Sequence, residues 1–92
     1  MSKLTKKQLT SGTKFMTKFD HSTIFTVNKS SNSITSDLLF SCKKLAIADN
    51  QYAIESITDK YLKMWDINFG QKKTYRISLT DIEIVETEYN YI

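Results

Sequence analysis

Apolar and polar positions alternate cleanly near the start of the chain. Thr13, Phe15, Thr17 and Phe19 share one parity, and Lys14, Met16 and Lys18 share the other. Period two predicts a half-buried strand. Asp20-His21-Ser22 predicts a tight polar turn. Thr23 to Lys29 alternates again, with Phe25 and Val27 inward and Thr26 and Asn28 outward. Residues 13–29 therefore read as a β-hairpin, aromatic inside, with Lys14 and Lys18 outside. Ahead of it, residues 3–11 read as a short polar helix or basic arm. Leu4 and Leu9 anchor that arm and Gly12 ends it.

The middle of the chain is less regular. Lys29 to Ser33 is a loop by composition. Leu38, Leu39, Cys42, Leu45 and Ala46 then recur at helical spacing, with Thr35 or Ser36 as N-cap, which predicts a short helix over 37–47. The rival is a strand from Ile34, since Ile34, Leu38, Phe40 and Cys42 share parity. Over 51–69, Ile54, Ile57, Tyr61 and Met64 or Trp65 fit a helix face, and Asp59 and Lys63 stand at i,i+4. The residues are nonetheless strand formers, and Thr58-Asp59-Lys60 sits midway like a turn. The preferred reading is a second hairpin, 51–58 with 61–68. Residues 70–73 read as a further turn.

The C-terminal run carries a parity flip. Tyr75, Ile77 and Leu79 are odd, whereas Ile82 and Ile84 are even. One residue of slip turns every side chain over, so a bulge or a single 3-10 turn must interrupt the strand at Thr80-Asp81. A strand, a one-turn helix and a short closing strand are how many SH3-like small barrels end. The expected fold is one small β-rich α+β domain over 1–92. It would be an SH3-like or related β-barrel of about five short strands with one or two short helices. Such likeness of architecture implies no function.

Composition narrows the class. With 92 residues and 40% hydrophobic ones, the chain has a modest core. Its single cysteine, Cys42, cannot form an internal disulfide, which fits a reducing compartment. No apolar run approaches the roughly 20 residues that span a bilayer. Neither is there an apolar leader behind the N-terminal lysines, so Asn28-Lys29-Ser30 is not expected to be glycosylated. The expected location is the cytoplasm, of a host cell if the protein is viral, or a virion. Residues with AT-rich codons (Phe, Tyr, Met, Ile, Asn, Lys) number 40, against 6 with GC-rich ones (Gly, Ala, Arg, Pro). That bias is common in phages and mobile elements. Residues 1–46 hold eight lysines against two aspartates, net +6, and residues 47–92 five cations against eight carboxylates, net −3. Such asymmetry suggests oriented binding to a charged partner.

Candidate chemistry is sparse. Asp20, His21 and Ser22 are triad residue types, but neighbours on a turn splay apart and cannot form a relay. One histidine and one cysteine fall short of a zinc site. Cys42 reads as a small core residue, and a Cys42–His21 nucleophile pair lacks a strained elbow. Gly12 and Gly70 are isolated, so no phosphate-cradling loop is present. Asp81, Glu83, Glu86 and Glu88 read as a solvated edge. No cofactor or metal is expected.

Three functions follow, in order. The first is a non-enzymatic binding module, a phage or mobile-element accessory protein that docks on another protein, as a host-factor inhibitor or a virion or assembly component. Its eleven aromatics supply anchors, and Tyr61, Trp65 and Tyr75 are the candidates. The second is a nucleic-acid-binding barrel that sets Lys6, Lys7, Lys14, Lys18, Lys43 and Lys44 against phosphates. Twelve lysines to one arginine argue against base-specific reading. The third is a small basic ribonuclease-type toxin built on Lys72, Lys73, Tyr75 and Arg76.

Overall fold

A computed structural model of the chain describes residues 6–40, 44–67, 73–86 and 89–91. Its regular structure is almost wholly strand. After a 3-10 turn at Lys6–Gln8 come β1 (Lys14–Thr17), β2 (Asp20–Asn28), β3 (Ser33–Phe40), β4 (Lys44–Ile57), β5 (Tyr61–Asp66) and β6 (Thr74–Ser78). A 3-10 turn at Leu79–Asp81 leads to β7 (Ile82–Val85), and β8 (Asn90–Tyr91) follows. The sheet runs β6-β5-β4-β3-β2-β1-β7, every neighbour antiparallel, and β8 lies parallel against the start of β4.

Topology forces this sheet to curl. β6 and β7 stand at opposite ends of the path, yet only Leu79–Asp81 separates them in sequence. Three residues cannot cross the width of a flat sheet, so its two ends must approach. The result is a half-barrel. The turn that joins the ends is itself capped: Thr80 N–H donates to the Ser78 hydroxyl at 3.4 Å. It also produces the expected parity flip, since Leu79 and Ile82 are both buried.

The concave face holds the core. Phe15, Val27, Ile34, Ile54, Leu62, Met64, Leu79 and Ile82 form one cluster with Leu9. Leu9 is fully buried, so the N-terminal arm is pinned there. Phe25, Tyr52, Ile57, Tyr75, Ile77 and Ile84 pack half-buried against it. A row of rings crosses the face. Phe15 stacks on Phe25 at 5.1 Å, Phe25 meets Tyr52 at 6.2 Å, and Tyr52 meets Tyr75 edge-on at 5.8 Å. Ile24 and Leu45 are also fully buried but stand outside this cluster. Register explains them: Ile24 faces Asp37 and Leu45 faces Leu39, on the convex side, and Leu45 also pairs with β8.

Two turns depend on the left-handed region. Gly12 has φ 88° and donates its N–H to the Val27 carbonyl at 2.7 Å. Asn32, at φ 52°, ends the β2–β3 turn. There its side-chain amide donates to the Ile54 carbonyl at 3.0 Å and its carbonyl accepts from Ile54 N–H at 2.9 Å. Asparagine tolerates this region better than most residues.

Hairpins form over 13–29 and over the described part of 51–68 as expected, with three corrections. The first turn is Lys18-Phe19, because Thr17 pairs with Asp20. Phe19 therefore sits at the hairpin tip, 81% exposed, and not on the inner face. No helix forms over the described part of 37–47. Those residues belong to β3 and β4, which face each other from Asp37↔Ile47 to Phe40↔Lys44. As a strand, β3 satisfies backbone groups of both β2 and β4, which a helix would leave unpaired. The sheet has eight strands instead of about five, and among the described residues the only helical pieces are the two 3-10 turns. Leu4, Cys42 and residues 70–72 lie outside the described residues.

Candidate functional site

The N-terminal lysines stand on several elements. Lys6 and Lys7 precede β1 in the 3-10 turn, with Lys7 exposed. Lys14 is half-buried on the convex side, where its Nζ donates to Thr26 Oγ1 at 3.0 Å. Lys18 is exposed at the β1–β2 tip, and Lys44 at the start of β4, beside β8. Lys43 lies outside the described residues. β1 zips against β7, Met16 faces Glu83, and Lys18 N–H donates to the Asp81 carbonyl at 2.9 Å. β1, from the basic first half, thus lies beside β7, which carries Glu83.

The triad residue types are occupied by the hairpin. Asp20 accepts from Ser22 N–H at 2.9 Å, from the Ser22 hydroxyl, and from the Thr23 hydroxyl at 3.0 Å. These bonds hold its carboxyl below its ordinary pKa. His21 turns instead to Glu83, Nε2 to Oε2 3.5 Å, both well exposed. The described residues hold no group of three histidine, cysteine or acidic side chains able to bind a metal.

Cations converge with exposed Tyr61 and half-buried Trp65 at the other end of the sheet. Along β5 the convex side carries Tyr61, Lys63 and Trp65, opposite Ser78, Arg76 and Thr74 of β6. The Arg76 guanidinium lies over the Tyr61 ring, 4.8 Å from its centroid. Tyr61 is 39% exposed, and Lys63 and Arg76 are exposed too. Lys63 was not picked out by sequence, although Tyr61-Lys63-Trp65 is a period-two signal. Tyr75 falls on the concave face, at the end of the ring row, with Lys73 Nζ 5.3 Å from its centroid. The proposed ribonuclease set is thus divided: Tyr75 and Arg76 point to opposite faces, and Lys72 lies outside the described residues. Burial raises the Tyr52 phenol above its ordinary pKa.

β6 is also an edge. Among the described residues it pairs with β5 alone. Two backbone bonds fix the phase of that ladder, Asp66 N–H to the Lys73 carbonyl at 3.3 Å and Leu79 N–H to the Lys60 carbonyl at 2.9 Å. Hydrogen-bonded pairs alternate in an antiparallel ladder. The pairs Leu62↔Ile77 and Met64↔Tyr75 are therefore the bonded ones. Thr74 and Arg76 aim their backbone N–H and C=O groups away from the sheet.

No protein-family model, curated protein or solved structure matches the chain. Among the described residues no helix is long and apolar enough to cross a membrane.

Proposed function

We propose that this protein is a non-enzymatic docking module whose contact surface is the β5–β6 end of the half-barrel. One observation carries the reading: a strand that among the described residues pairs on one side only lies beside an exposed Tyr61–Arg76 stack, with Trp65 and Lys63 on the same side. Aromatic and arginine anchors dominate the energetics of protein contacts. Unpaired strand edges are a liability that proteins usually blunt, and one left open next to such anchors suits a partner. In this reading the strand–3-10–strand closure is of the SH3-like kind. The biological setting we propose is a phage or mobile-element accessory protein acting in a host cytoplasm or virion, as a host-factor inhibitor or an assembly component. Its AT-biased composition supports that setting.

The interleaving of Tyr61, Lys63, Trp65 and Arg76 favours a second reading, a single-stranded nucleic-acid surface on β5–β6. Affinity capture with and without nuclease, using wild type and a Tyr61→Ala/Trp65→Ala variant, separates the two. Docking predicts a nuclease-resistant protein partner that the variant loses. Oligonucleotide affinity that falls steeply between about 50 and 200 mM salt would decide for nucleic acid.

A further inference from the structure

Resting on the docking reading, we propose that β6 binds by strand addition, and that its partner is an extended segment carrying an acidic residue between two apolar ones. The ladder phase leaves Thr74 and Arg76 with outward backbone donors and acceptors, and both residues are exposed. A strand laid along this edge pairs with those groups. Its side chains then alternate between the two faces of the sheet. Those on the concave side meet Tyr75 and Ile77, half-buried at the rim of the core, so apolar residues fit there. The residue between them meets Arg76 on the convex side, with Lys63 one strand further in. β6 itself carries no acidic residue, and Lys73 precedes it. An acidic side chain is the complement of that setting. The opposite open edge, β7, has the reverse character, with Glu83 in the strand and Asp81 and Glu86 flanking it. The same chain thus offers a basic edge and an acidic edge, and only the basic one adjoins the aromatic surface.

Selection of a random-peptide display library on the full chain tests this. Enriched sequences should alternate, with aspartate or glutamate flanked by apolar residues. The best peptide should slow amide exchange at Thr74 and Arg76 by about tenfold or more, since those groups become paired. Arg76→Glu should weaken that peptide by about tenfold, the scale of a lost charged contact. Thr74→Pro removes one outward N–H at the first residue of an edge strand, where proline is tolerated, and should weaken it as well. If Thr74→Pro does not fold, the exchange pattern and Arg76→Glu still decide. Several results would overturn the proposal: no enrichment, enrichment without acidic alternation, or protection that maps away from β6. So would a mixed-sequence single-stranded oligonucleotide that protects the same amides at lower concentration. Concentration-dependent self-association with Thr74 and Arg76 protected would overturn it too, because the occupant would then be a second copy. A protein partner lost on Tyr61→Ala/Trp65→Ala but retained by Thr74→Pro and Arg76→Glu would leave docking standing and sink strand addition. Retention by all of these variants would sink both.

Discussion

Phe15 has no exposed surface and Phe19 is 81% exposed, four residues apart on one hairpin. Phe15→Ala should cost about 3–5 kcal/mol, the range for a deleted core aromatic. Phe19→Ser should stay within about 0.5 kcal/mol. Urea midpoints of the two variants check both. Gly12→Ala isolates a backbone effect, because an added Cβ would meet nothing within 4 Å. Its φ of 88° alone should cost about 1–2 kcal/mol. Two titrations follow from local bonding. Asp20 is held below 3.8 by the hydroxyls and N–H of Ser22 and Thr23. Its contribution is complete above that value and is lost as pH falls through the lowered pKa. Its carboxyl carbon should titrate below 3.8 by NMR. Tyr52 is shifted the other way by burial, so its neutral form stabilises the fold up to pH 10.0 and that contribution disappears as pH rises through the higher folded pKa. Its phenol should ionise above 10.0.

At the scale of elements, the C-terminal flip has a direct consequence. Leu79 and Ile82 bury on the same face only because the 3-10 turn lies between β6 and β7. Ile82→Ala should therefore cost about 2–5 kcal/mol, read as a drop in Tm, and an unchanged Tm would mean the register is wrong. This flip was legible because parity is a strict property of strands. The spacing of Ile54 and Ile57 misleads for a related reason. Ile54 faces Met64 and Ser56 faces Lys63, so β4 carries one extra residue, a bulge. The bulge puts two residues three apart on one face, which mimics a helix. Another irregularity, between Asn50 and Ile47 of β4, shifts its pairing with β3 and hides that strand's alternation. The helical spacing of Leu38, Leu39 and Leu45 arises likewise from two strands, with Leu39 opposite Leu45 across the hairpin. A hairpin turn displaced to Lys18-Phe19 reverses the fate of Phe19, although Asp20 and Ser22 have ideal turn chemistry. Their hydrogen bonds form all the same, just inside β2.

On the scale of the whole molecule, strand pairing sets residues of the two oppositely charged halves beside one another. A net +6 half and a net −3 half suggest two poles. Pairing of β1 with β7 sets the first half against Glu83, while Lys63 and Arg76 of the acidic half gather beside Tyr61. Sequence offered Tyr61, Trp65 and Tyr75 as candidates; Tyr61 is exposed, Trp65 is half-buried on the same side, and Tyr75 falls on the other face. Sequence could not identify Arg76 as the neighbour of Tyr61, because that contact depends on the β5–β6 register. Of the lysines it grouped, Lys14 lies in β1, Lys18 at the β1–β2 tip and Lys44 at the start of β4, and reversing Lys14 and Lys18 to Glu should leave partner capture intact.

Amide hydrogen exchange of the free chain along β6 tests the central claim most directly. An open edge in the observed phase predicts slow exchange at Tyr75 and Ile77, which bond to β5, and fast exchange at Thr74 and Arg76, which alternate with them. Uniform protection of all four amides would show that β6 is already covered, and would contradict a docking edge at this site.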